Sequence, residues 1–292
     1  MAIYSKRQLI EQQEIIEVVK ALSALTVLRL NQTYGALTEA KALLSKIAES
    51  IRRVFEIYPS SDREFRKKQQ KYLERFQKKS TLLVLISSNK DVYGNLIRDI
   101  TDLFISDVKK TNYDALVIGT MGKTFVEREN LKSKIVFFDI DDDRLDPRQV
   151  TQVSQLTQQY ARVIVYHGEE ESLIRHKAVR SEVLKQIPQM LKPKKSYFFE
   201  PTPEDVIRYL NSQISLNSFH QTVYKGQYAR LSARRWNWTK QQMARVRLLE
   251  ELTREFRKYK KRLYSRQQQV TIFAHRLNVI QSDITKNAHF YG

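Results

Sequence analysis

Cysteine is absent from the 292 residues, which excludes disulfides, thiolate metal ligands and cysteine nucleophiles and fits a reducing compartment. Glycine and proline are scarce, seven and six, so there is little material for turns and long helices are predicted. No segment approaches the roughly 20 uncharged apolar residues of a membrane span. The start MAIYSKRQLIEQQEIIEVV carries Glu11, Glu14 and Glu17 and lacks the uninterrupted apolar stretch of a signal peptide. A soluble or peripheral protein is therefore expected. The five histidines, His167, His176, His220, His275 and His289, are scattered, and no pair has the spacing of a zinc protease. No metal is assigned to them.

Acidic residues are also in deficit, 32 against 51 Lys and Arg, for a formal charge of +19. The excess is uneven. Residues 1–79 hold 16 basic against 9 acidic side chains, 80–199 hold 18 against 16, and 200–292 hold 17 against 7. Basic ends point to nucleic acid, an anionic membrane surface or an acidic protein partner, and charge alone does not choose among them.

The ends share a second property. From Leu9, the positions Gln12, Ile16, Val19, Ser23, Thr26, Leu30, Thr33, Leu37, Ala40, Leu44, Ile47, Ile51, Val54 and Tyr58 alternate in steps of three and four until Pro59. Such spacing keeps one seam of a helix toward a partner helix. Leu249, Leu252, Phe256, Tyr259, Leu263, Arg266, Val270, Phe273, Leu277, Ile280 and Ile284 repeat it, and neither Pro nor Gly interrupts Gln227 to Ala288. Two seams flanking a compact middle are expected to pair as an antiparallel coiled coil. Val18 to Leu30, VVKALSALTVLRL, is apolar on nearly every side, more than one partner helix can cover.

The middle, with hydrophobic residues at 41% of the whole chain, reads as an α/β unit. Strands are predicted at Leu82–Ile86, Ala115–Ile118, Ile135–Ile140, Arg162–Tyr166 and Tyr197–Phe199. Helices are predicted at Leu96–Lys109, Asp146–Tyr160 and Ser172–Gln186. Alternation of this kind predicts a mostly parallel, Rossmann-like sheet. The expected division is 1–79 for the N-terminal helix and a basic connector (Arg63–Lys79), 80–200 for the α/β head, and 201–292 for the C-terminal helix.

Candidate chemistry is sparse. LLVLISSNKDVYGNLIRDI, Leu82 to Ile100, has the strand–turn–helix order of a phosphate loop, but Gly94 stands alone where close approach to a phosphate needs several glycines. The run Asp139 to Asp143, DIDDD, lacks the spacing and the turn glycine of a calcium loop and is read as a polar strand end. Ser87 and Ser88 lie in no nucleophile elbow. Trp236 and Trp238 among arginines would suit stacking on single-stranded nucleic acid, and the alternative is a helical contact face. Catalysis by this chain is not expected.

The layout resembles the γ subunit of F-type ATP synthases over nearly the whole length. IIEVVKALSALTVLR (Ile15–Arg29) is similar to the family's N-terminal helix, Leu82–Ile100 to the strand and turn that open its Rossmann-like domain, and YFFEPTPEDVIRYL (Tyr197–Leu210) to its approach to the C-terminal helix. Ala233 and Arg234 match a later helical motif, although Trp236 and Trp238 replace its small and Met-rich residues. RQQQVTIFA (Arg266–Ala274) is a loose echo of the C-terminal motif. The resemblance implies a non-catalytic central-stalk rotor with no cofactor and no nucleotide of its own. The implied partners are the α and β subunits, the ε subunit and the c-ring, and the implied address is peripheral, on the cytoplasmic face of a bacterial plasma membrane. It implies that Ile15, Ile16, Val19, Leu22, Leu25, Leu28, Phe273, Leu277 and Ile280 face the interior of the αβ ring. Arg254, Arg257, Lys258, Lys260, Lys261 and Arg262 would present a basic face to the stator. The rival readings are a basic nucleic-acid-binding protein and a γ-like rotor whose ATPase drives something other than ATP synthesis.

Overall fold

A computed structural model of the chain describes residues 6–57, 79–111, 113–129, 131, 133–142, 145–172, 174–183 and 203–288. The expected strand at Tyr197–Phe199 and the connector up to residue 78 lie outside the described residues. Two compact units emerge, Met1–Leu22 with Trp238–Gly292, and Ser23–Asn237.

Helix α1 covers Lys6–Ile57, the described part of the stretch expected to be helical up to Pro59. Its seam is the expected one. Ile16, Val19, Thr26, Leu30, Thr33, Leu37, Ala40, Ile47 and Ile51 are all buried. The last helix, α5 (Pro203–Ala288), falls within the 201–292 expected for the C-terminal helix, with proline at its first described position, where a missing N–H costs nothing. In the larger unit the two helices run antiparallel. Thr33 Oγ1 donates to Gln227 Oε1 at 3.3 Å, the Tyr34 and Tyr228 rings lie 6.0 Å apart, and Ile47 and Ile51 cluster with Ile214 and Leu210. In the smaller unit Arg245 Nη1 donates to Gln12 Oε1 at 3.1 Å.

One expectation needs correction. The partner of Leu30–Ile51 is the stretch around 210–231, upstream of the predicted Leu249–Ile284 seam. Leu249, Leu252 and Phe256 are half-buried, whereas Tyr259, Leu263, Val270, Phe273 and Leu277 are exposed. The physical reason is register: in an antiparallel pair that matches Gln12 with Arg245, α1 from Lys6 onward reaches no farther than the low 250s of α5.

The α/β unit contains β1 (Lys79–Ile86), α2 (Leu96–Lys110), β2 (Asp114–Ile118), α3 (Thr120–Glu127), β3 (Ile135–Phe138), α4 (Pro147–Thr157), β4 (Tyr160–Ser172) and β5 (Arg175–Glu182). The strand order is β3-β2-β1-β4-β5. The first four are parallel and β5 is antiparallel to β4. Ser172–Gln186 therefore fails as a helix, because residues 175–182 form a strand. RHKAVRSE alternates exposed charge with half-buried residues at the period of a pleat. Its charges line an edge, where they discourage further strand pairing. Arg162 clasps Glu182 with two hydrogen bonds of 3.0 and 2.9 Å.

The same pleat divides the core. Leu82, Val84 and Ile86 of β1 face one layer with Val150 and Val153 of α4 and with Phe219 and Val223 of α5. Leu83 and Leu85 face the other, with Ile97, Ile100 and Phe104 of α2, Val126 of α3 and Ala233 of α5. Helix α5 thus contributes to both faces, passing from one to the other across the ends of the strands.

Because the native chain has no cysteine, introduced pairs are unambiguous. Cysteines at 33 and 227, and separately at 47 and 214, are expected to crosslink on mild oxidation, while 33 with 214 stays unlinked. Nonreducing electrophoresis and peptide mapping check this, and linkage of 33 to 214 in place of 227 would contradict the register.

Candidate functional site

Open parallel sheets bind ligands beyond the carboxyl ends of their strands, at the point where neighbouring strands connect in opposite directions. That point lies here between β1 and β4. It is occupied by α5. A Cβ on Gly226 would come 3.2 Å from His167 Cβ, and one on Gly168 would come 3.0 Å from Leu96 Cδ2 and 3.2 Å from Ala229 Cβ. Two glycines, one on each surface, let the helix lie on the strand where a nucleotide would otherwise sit.

The turn after β1 supplies the second half of the answer. The N–H groups of Asn89 and Lys90 both donate to Asp142 Oδ2, the latter at 3.1 Å. The Asn89 side chain donates to Asp139 Oδ1 at 2.6 Å and to Ile140 O at 3.2 Å, and accepts from the Thr120 N–H at 2.8 Å. Two carboxylates of the DIDDD run, those of Asp139 and Asp142, are thus drawn to protein donors, and Asp143 lies outside the described residues. The Asp142 carbonyl accepts from Gln227 Nε2 at 3.4 Å, and Gln227 is the partner of Thr33. Gly94 has φ +64°, the left-handed region that a turn needs glycine for, and a Cβ there would approach Asn237 Nδ2 to 3.1 Å. The same amide donates to Val92 O. Gly94 serves the turn, as its sequence setting indicated.

His167 is buried within β4, just past the last residue that pairs with β1. Its Nδ1 lies 2.8 Å from Gly168 O, which can only accept, so Nδ1 carries the proton and Nε2 accepts from the Ser181 hydroxyl at 2.9 Å. Burial pushes its pKa below the ordinary histidine value, the Gly168 hydrogen bond opposes the shift, and Lys225 and Arg230 add to it. Burial lowers His176 and His220 as well. These are structural histidines in hydrogen-bonded or packed settings.

The expected ring-facing residues divide. Ile16 and Val19 are buried within the helix pairing and are not available to a partner, while Leu22 is half-buried. Ile15, Leu25 and Leu28 are exposed, as is Val18 at 58%. On α5, Phe273 and Leu277 are exposed, and the side chain of Ile280 lies outside the described residues. Arg254, Arg257, Lys258, Lys260, Lys261 and Arg262 are all exposed. Trp236 and Trp238 are half-buried, with the Trp238 indole N–H shielded from solvent. Sequence reasoning passed over Gly168, Gly226 and the side chain of Gln227, and met Asp142 only as one member of the DIDDD run. Only Gly226 left a signal, as a lone glycine inside a long helical pattern.

A family model described as ATP synthase matches residues 5–272. The chain belongs to the ATP synthase gamma family. No curated protein matches this gamma-family chain by sequence. Among solved structures, it is similar to a chain of the Tetrahymena thermophila mitochondrial ATP synthase central stalk and c-ring. That match has a TM-score of 0.45 and 17% identity, over 76% of this chain and 98% of that one. Two similar chains come from the Euglena gracilis mitochondrial ATP synthase. One is from the rotor in rotational state 1, with TM-score 0.47, 12% identity, and 89% and 99% of the two chains covered. The other is from the OSCP/F1/c-ring assembly in rotational state 3, with TM-score 0.49, 11% identity, and 98% and 95% covered.

Two outcomes are expected of this gamma-family protein. Above pH of about 6.5 the lowered histidines are neutral whether folded or not, so they impose no pH dependence. As pH falls below that value the unfolded chain takes up protons that folded His167 resists, and stability declines toward the folded pKa; urea titrations between pH 8 and 5 should show it, with a shallower decline in His167→Gln. The filled crevice also predicts no saturable heat of ATP or ADP binding in calorimetry, and micromolar binding abolished by Gly94→Val would contradict the assignment of the turn.

Proposed function

We propose that this protein is the central-stalk rotor of an F-type ATP synthase or ATPase, carrying torque between a membrane c-ring and a catalytic αβ ring without an active site of its own. The observation that carries this is the family match over residues 5–272, which takes in α1, the α/β unit and α5 as far as residue 272. The antiparallel helix pairing supports a stiff element, since each helix limits the bending of the other. No described helix is long and apolar enough to cross a membrane, which agrees with attachment through partners. The ε subunit and the c-ring are the proposed partners of the α/β head, and the cytoplasmic face of a bacterial plasma membrane belongs to the same proposal.

Ile15, Leu25, Leu28, Phe273 and Leu277 are the proposed contacts with the ring interior, with Leu22 partly so. Exposed aliphatic side chains on a helix that also has a buried seam favour a second protein surface over water. The basic stretch from Arg254 to Arg262 would be drawn toward acidic partner surfaces without demanding one orientation, because attraction between exposed charges is weakly directional and acts over about a Debye length. Such tolerance suits a part that turns inside a stator.

The experiment is reconstitution with partner subunits. Changing Arg254, Arg257, Lys258, Lys260, Lys261 and Arg262 together to Gln should leave assembly intact and lower coupled ATPase turnover, with the defect larger at low salt. A single neutralisation should have little effect, as exposed ion pairs contribute little individually. Full turnover in the sixfold variant would remove this face from the stator contact, and loss of oligonucleotide binding as the sole defect would favour the nucleic-acid reading.

A further inference from the structure

The turn after β1 holds its own anion. We propose that the Asp142 carboxylate stands in for a bound oxyanion, filling an anion site built by the strand–turn–helix motif, and that this site accepts a small carboxylate when the Asp142 side chain is removed.

Two consecutive N–H groups, of Asn89 and Lys90, converge on one oxygen of Asp142. Successive amides directed at a single point make an anion-binding concavity, the arrangement by which phosphate loops hold their ligands. Asp142 is only 4% exposed, so the anion it supplies is shielded from water. An independent feature points the same way. Arg230 of α5 is 3% exposed, and its Nε and Nη1 are buried with no hydrogen-bond partner among the described residues. It lines a small cavity with Ser87, Asp141 and Asp142, and Ser87 Oγ is likewise buried and unpartnered. That cavity has room for about 10 Å³, the scale of a single water. A buried guanidinium favours negative charge near it, because an uncompensated cation in a protein interior is strongly destabilising. Asp141 and Asp142 are the acidic residues that line this cavity with Arg230, and Asp142 is the buried one. A simple turn contact would need the amides but not the arginine.

The same residue ties the unit together. Its carboxylate holds the turn, and its carbonyl receives Gln227 of α5, which in turn receives Thr33 of α1. Nothing here depends on the rotary role, since the site is defined by chemistry within one compact unit.

The test uses the full chain and its Asp142→Ala variant, with thermal unfolding followed in sodium formate and in sodium chloride at matched ionic strength. The variant is expected to melt several degrees below wild type in chloride. Formate should raise its midpoint saturably, because a ligand that binds only the folded state stabilises it by mass action. Wild type, with the site already filled, should respond equally to both salts. An equal response of the variant to the two salts, or a formate effect as large in wild type, would overturn the proposal. If the variant yields no folded protein in either salt, amide hydrogen exchange in wild type decides: slow exchange at Asn89 and Lys90 supports a held carboxylate, and exchange at free-turn rates refutes it.

Discussion

The contact on which the structure depends is the approach of α5 to the middle of β4, where Gly168 and Gly226 remove the side chains that would hold helix and strand apart. A glycine inside a helix costs about 1 kcal/mol relative to alanine. That loss is offset by what the approach allows: Phe219 and Val223 of the same helix are fully buried on one sheet face, each a gain of about 1.5–3 kcal/mol, and Ala233 closes on the other. With α5 seated there, Gln227 reaches both Asp142 and Thr33, and the crevice that an α/β sheet usually offers to a ligand is solid protein.

How much of this could be read in advance varied with the source of the signal. The seam of α1 was legible because burial on a helix follows a fixed spacing, and Ile16 through Ile51 obeyed it even where Thr26 and Thr33 replace aliphatic residues. The strands β1, β2 and β4 were legible as apolar runs. Ser172–Gln186 misled because RHKAVRSE has charges that suit an exposed helix face as well as an edge strand; only its pairing with β4 separates the two. The extent of α5 matched the expected 201–292, but Gly226 gave no sign of its purpose until the strand it packs against is known. Asp142 could not be singled out within a run of aspartates, since its role comes from amides more than fifty residues earlier.

A rotor places unusual demands on side chains. Within each unit the helices need specific, buried matches, such as Thr33 with Gln227, to resist sliding. Toward a stator, specificity of that kind would act as a brake. The distribution of residue types follows the distinction: hydrogen-bonded and close-packed groups lie inside, while flexible Lys and Arg with scattered aliphatics lie outside. Most of the basic side chains behind the +19 charge lie outside, with Arg230 and Arg234 the buried exceptions among the described residues.

The separation of Thr33 from Gln227 by 194 residues also governs how the chain is made. A ribosome adding about 5–20 residues per second leaves α1 without its partner for on the order of 10–40 s after it emerges. For that time the seam from Leu30 to Ile51 is uncovered, and the crevice of the sheet is open because the helix that fills it has not been synthesised. Completion of the fold therefore comes late and through long-range closure, a topology that slows folding.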